Sequence, residues 1–179
     1  MSGPVTILNF LLGIGTMALM IFAVGLIIAR IAKLPLAQIV ARHGSILLRI
    51  LFVMAVLGSL TYDLGFGYAP CLLCWYQRLA IFPITLLSFT ADIRKSVLLQ
   101  TQIIWLSSIG LVFAVFHNYL DIFQPSGIDV CGTTGPSCLI RYVYEFGFIT
   151  IPLMSAVMLL TGLLIALTVR RYPQKNVVA

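Results

Sequence analysis

Charge is scarce in this chain of 179 residues: 9% are Asp, Glu, Lys or Arg, and only 5 are acidic. Soluble domains carry about a quarter charged residues. With 61% hydrophobic residues and a mean hydropathy of +1.10, the composition points to a bilayer as solvent. Long polar stretches are also lacking, which leaves no room for a domain outside the membrane and places function in the helices or their short connections. The net charge of +6 is not gathered into a polybasic block, so a nucleic-acid partner is not expected. Ionisable residues inside the apolar runs are too few for a proton or ion pathway, which argues against transport. No internal repeat or low-complexity tract is present.

What the chain does have is long apolar runs. Runs of about 18 residues or more are candidate membrane spans, because each backbone group must be satisfied within its own segment. Five are expected: Val5 to Ala29, Ile46 to Leu64, Leu72 to Ala91, Ser96 to Leu120 and Phe146 to Val169. Arg30, Lys33, Arg42, Arg49, Arg94, Lys95, Arg170, Arg171 and Lys175 gather at one set of span ends, and only Arg78 and Arg141 at the other. The basic side is read as cytoplasmic, with the C-terminus inside and every cysteine outside. Tyr62, Phe66, Tyr68, Trp75, Tyr76, Tyr119, Tyr142 and Tyr144 cluster at the opposite boundary, where amphipathic rings favour the headgroup zone. The first run has no basic residue before it and carries Arg30 and Lys33 after it, the pattern of a retained span rather than a cleaved signal. Pro83 and Pro152 fall inside expected spans, where a kink is tolerated.

The 4 cysteines form two close pairs, Cys71-Leu-Leu-Cys74 and Cys131-Gly-Thr-Thr-Gly-Pro-Ser-Cys138. Two structural disulfides are the plain reading in an oxidising compartment. The local setting favours chemistry instead. Cys71 follows Pro70 and precedes an apolar helix, so helix-terminal amides and the dipole favour its thiolate. Cys74 lies one turn on, and a disulfide between the two would close almost no chain and add little stability. The second pair sits on a long connection with Gly132, Gly135 and Pro136, where an outside thiolate could attack a disulfide and pass the exchange on to the first pair. A zinc site fits poorly, because the second spacing is loose and the first pair lies against the membrane.

Two thiols release two electrons, and a membrane quinone is the natural acceptor. Arg78, one turn beyond Cys74, is placed to stabilise a thiolate and the charge developing on a quinone oxygen. A snorkelling interfacial Arg is the alternative. His117 could hydrogen-bond a quinone carbonyl or move protons. His43 has no cluster of potential ligands around it. Asp63 and Glu145 are available to Arg78 and Arg141, with no pairing fixed by sequence.

The run Pro70-Cys71-Leu72-Leu73-Cys74-Trp75-Tyr76-Gln77-Arg78, followed by an apolar helix and a later cysteine pair, resembles the bacterial disulfide-bond formation protein B family, including its BdbC-like branch. The resemblance covers about Ser45 to Val169. It implies an all-α membrane fold, a four-helix transmembrane bundle with one additional N-terminal helix. The expected division is 1–44 for the extra helix and its loop and 45–179 for the bundle. It implies a quinone-dependent disulfide oxidoreductase of the bacterial inner membrane, using ubiquinone or menaquinone. Cys131 and Cys138 would form the disulfide that re-oxidises a soluble DsbA-like thioredoxin-fold partner, with Cys131 the point of attack. Cys71 would resolve the exchange and Cys74 become the thiolate beside the quinone, with Arg78 and His117 as cofactor-binding residues. The first span and the close spacing of the second pair depart from the best-known members. A vitamin-K-epoxide-reductase-like enzyme is a neighbouring possibility, although there the loop pair precedes the active C-x-x-C. A transport or scaffold protein with structural disulfides is the rival from another class.

Overall fold

A computed structural model describes residues 3–123 and 136–172. Its five helices are α1 (Gly3–Ile31), α2 (Pro35–Leu60), α3 (Leu72–Thr90), α4 (Val97–Phe123) and α5 (Ile151–Arg171), and a π-helical turn, Thr61–Gly65, extends α2. All five are long and apolar enough to cross a membrane, and no strand occurs among the described residues. The all-α membrane fold expected from sequence is borne out.

The helices α2, α3, α4 and α5 pack in a ring, each on its neighbours, while α1 lies outside it against α5 and touches α2 less. Phe52, Ile84, Ile103, Leu159 and Ile165 fill the centre of the ring. Small residues set the spacing. A Cβ on Gly162 would sit 2.6 Å from the Phe52 ring, and one on Gly110 would sit 2.7 Å from the Ala80 methyl. Without water between them, helices gain by such close approach, since van der Waals contact replaces the hydrophobic drive.

Two expected boundaries are corrected. The stretch before Ile46, read as a loop, is helical from Pro35, which sits in the first turn where its missing N–H costs nothing. Ala37, Val40, Ala41, Gly44 and Leu48 bury one face at helical spacing, while Arg42 and His43 on the other face dilute the hydropathy. The fifth helix begins at Ile151, not Phe146. Glu145 and Ile149 exchange backbone hydrogen bonds of 2.9 and 2.8 Å around Phe146 (φ 53°) and Gly147 (φ 78°), a turn no helix can include. Pro152 therefore stands at the start of α5 rather than inside a span.

The up-and-down order carries Arg30, Arg94, Arg170 and Arg171 to one end of the bundle and Cys71, His117 and Thr150 to the other. At the basic end Arg94 donates to Asp92 and to the Arg42 carbonyl, and the Ser45 hydroxyl donates to Asp92. The bonds to Asp92, those from Arg94 first and that from Ser45 after, hold its carboxyl well below the usual carboxylate range.

Candidate active site

Pro70 ends an extended segment, and Cys71 caps α3 with its side chain accepting from the Cys74 amide at 3.4 Å. The two thiols then face each other across one turn, Sγ to Sγ 2.9 Å, and both are free. The Cys74 hydrogen bond, and after it His117, pull the Cys71 thiol below its ordinary pKa, against burial, which pushes the other way.

His117 reaches this thiol from α4. Its Nε2 lies 3.9 Å from Cys71 Sγ and 3.2 Å from the Cys138 carbonyl, and Gln77 Nε2 lies 3.1 Å from its Nδ1. A carbonyl only accepts, so Nε2 carries the ring proton and Nδ1 accepts from the Gln77 amide. The amide is oriented in turn by the Ser155 hydroxyl, which donates to Gln77 Oε1 at 2.5 Å. A chain of side chains from α5 through α3 to α4 thus aims a ring N–H at the Cys71 sulfur.

The second cysteine region arrives by a different route. Ser137 accepts from the Leu139 amide through its hydroxyl and from the Ile140 amide through its carbonyl, a turn that carries Cys138 inward. Arg141 fastens the segment to the end of α4, donating to the Asp121 carboxylate at 2.6 Å and to the Asp121 carbonyl. Cys138 packs with Cys71, Leu73 and Leu120 and is disulfide-bonded. Ligand atoms of Cys71, His117 and Cys138 all lie within 4.8 Å of one another. A metal is a poor reading of this trio, because a sulfur held in a disulfide is not the thiolate a metal needs. Proximity of a free thiol to a disulfide sulfur is the arrangement for exchange. Cys131 lies outside the described residues.

Arg78 is 8% exposed and already partnered: it donates to Asp63 at 2.7 Å, to the Ser59 hydroxyl at 2.9 Å and to the Ser59 carbonyl at 3.2 Å. The π-helical turn brings Asp63 to it, and the guanidinium lies 5.2 Å from the centre of the Trp75 ring. Three of its five N–H groups are used in these bonds, which leaves two for a ligand. Asp63 is thus the partner of Arg78, and Asp121, not Glu145, the partner of Arg141. His43 bonds only the Ile39 carbonyl of its own helix.

These groups line one end of a cavity of about 620 Å³, within the range of small-molecule sites, whose remaining wall is mostly aliphatic. Cys71, Cys74, Arg78, His117 and Cys138 all border it. Sequence reasoning missed Gln77, Ser155 and Ser59. Gln77 had a readable signal, a polar side chain in an apolar span one position from Arg78. The two serines had none, since serine is common in membrane helices.

Fold and site together define a multi-pass membrane protein built for thiol-disulfide exchange. Residues 41–169 match the family described as disulfide bond formation protein DsbB. A probable disulfide formation protein of Oceanobacillus iheyensis is 36% identical over 121 residues, covering 66% of this chain and 82% of its own. The SPbeta prophage-derived disulfide bond formation protein B of Bacillus subtilis is 36% identical over 112 residues, 63% of this chain and 75% of its own. Disulfide bond formation protein C of Bacillus subtilis is 34% identical over 107 residues, 59% of this chain and 76% of its own. No solved structure matches the chain. The chain belongs to the DsbB family of membrane thiol-disulfide oxidoreductases.

Proposed function

We propose that the chain re-oxidises a soluble, extracytoplasmic thioredoxin-fold protein and passes the electrons to a membrane quinone. The basic residues at the end opposite the cysteines support an orientation with that end and the C-terminus in the cytoplasm. The order of exchange is partner dithiol, then Cys131–Cys138, then Cys71–Cys74, then quinone. In the first step the partner's thiols become a disulfide and the Cys131–Cys138 disulfide becomes two thiols. In the second, a Cys138 thiolate attacks the Cys71–Cys74 disulfide at Cys71, and Cys74 leaves as thiolate. Closing the Cys131–Cys138 disulfide then releases Cys71 as a thiolate. His117 Nε2–H and the helix start stabilise charge on Cys71 during that release.

The residues present fit a quinone: an aliphatic cavity with a thiol, a guanidinium with unspent N–H groups and an imidazole at one end. When bound, a quinone supplies an acceptor for two electrons and two protons. Cys74, Arg78 and His117 would surround its ring, with Arg78 favouring negative charge there. Ubiquinone and menaquinone both fit this description. In this scheme residues 45–179 form the catalytic unit and 1–44 an addition to it.

One observation carries the proposal: the Cys71 thiol, His117 and Cys138 meet within 4.8 Å at the head of that cavity. The test is anaerobic quinone reduction by purified protein with a reduced thioredoxin-fold donor. Wild type should turn over, and Cys74→Ser and Cys131→Ser should each lose turnover by more than a hundredfold. Wild-type protein that stays inactive with every quinone, despite a competent donor, would return the cysteines to a structural role.

A further inference from the structure

The family match begins at residue 41 and assigns nothing to α1. Yet α1 supplies a wall of the cavity: Leu12, Gly15 and Leu19 line it together with Met54, Ala55 and Gly58 of α2. α1 leans on α5 more than on α2, and residues on both sides of the seam between α1 and α2 line the cavity. Its rim residues Leu11 and Met54 are 58% and 57% exposed, so the seam opens sideways, where lipid would lie. The position of α1 is fixed at the head end. Asn9, 3% exposed, accepts from the Tyr62 hydroxyl at 2.8 Å. Tyr62 stacks on Tyr68, and Tyr68 on Tyr142 at 4.5 Å.

Along this seam the chemistry changes from one end to the other. The head end carries Ser59, Tyr62, Arg78 and His117. Farther along, the polar side chain is Thr16, and its hydroxyl is spent on the Leu12 carbonyl at 2.8 Å. A lane with no free hydrogen-bond donor suits hydrocarbon. From Leu8 to Leu19 it runs about 16 Å at 1.5 Å per residue, too long for a ring alone.

We infer that α1 and α2 form a lateral lane for the prenyl tail of the quinone, so that the additional helix is a tail-binding and tail-selecting wall. This rests on the quinone reading above. Its redox ring occupies the end at Cys74 and Arg78, and the tail leaves through the seam between Leu11 and Met54. A quinone would enter from the bilayer by the same opening.

Two substitutions fill the lane. A Cβ on Gly15 meets nothing within 4 Å, and one on Gly58 meets only Leu12 Cδ1 at 4.0 Å, so Gly15→Phe and Gly58→Leu enter open space and raise helix propensity. The measurement is quenching of tryptophan fluorescence in oxidised, full-length protein, using one quinone with a long prenyl tail and one with the same ring and no tail. The ratio of long-tail to tail-less affinity should fall by about tenfold or more in each variant, with helical circular dichroism unchanged. An unchanged ratio in both variants, or equal losses for the two quinones, would overturn the lane. Wild type that binds neither quinone would overturn the quinone reading itself, a separate outcome from a change in ratio.

Discussion

In the half of the bundle that holds Phe52, Gly162 and Val169, side chains close on one another; in the half that holds Cys71, they leave about 620 Å³ open. The close-packed half uses glycines to bring helices together, and its polar atoms bond mostly within their own helix, as Thr161 and Thr168 do. The open half spends its polar side chains between elements, through Gln77, His117, Arg78 and Arg141. It also departs from α-helical geometry, with a π-helical turn and a left-handed Phe146. The difference teaches that close packing and chemistry are separated along the helix bundle: the first half fixes helix positions so that the second can keep a cavity without collapsing.

Breaking the packed half should cost the most stability. Gly162→Val drives methyl groups into the Phe52 ring and should destabilise the fold by about 1–3 kcal/mol, read as a lower melting temperature in detergent. Protein that remains folded should keep its exchange activity, since the cysteines lie in the other half. Loss of exchange at full stability would join the two halves that the comparison separates.

At the open end, His117→Ala removes one support of the Cys71 thiolate while leaving the helix start in place. The sign follows from the lowered thiol: the thiolate exists above the folded pKa and is lost as pH falls through it, so wild-type reactivity persists below the range of an ordinary thiol. The variant should move that profile upward and cut the alkylation rate of Cys71 by about an order of magnitude on its acidic limb, well below neutral pH. A profile that does not move would leave His117 to packing alone.

The smallest effect belongs to Ser107, fully buried in the packed half with no hydrogen-bond partner for its hydroxyl among the described residues. Ser107→Ala should be neutral or stabilising by about 1 kcal/mol in chemical unfolding, with exchange untouched. A clear loss of stability would show that the packed half depends on that hydroxyl.

Much of this was readable from sequence where a local rule governs the outcome. Span number follows from hydropathy, because a bilayer admits only segments that satisfy their own backbone. The start of α3 at Cys71 follows from Pro70 and the apolar run after it. Local rules failed at Phe146, where a left-handed turn and a bridge between Glu145 and Ile149 override an apolar run, and at Pro35, where a mixed face hid a helix. They also left the acids unassigned, since partners at separations such as the 15 residues between Asp63 and Arg78 depend on how helices are placed.

By itself, then, the sequence determined that this is a multi-span helical protein with a thiol pair at a helix start and a second pair downstream, because composition, periodicity and spacing act along the chain. Only the tertiary structure decided that Cys71, His117 and Cys138 meet, that Gln77 orients the ring, that Asp63 holds Arg78, and that α1 walls the cavity. Each of these is a contact between segments far apart in sequence. Its geometry is set by how whole helices pack, which no local pattern encodes.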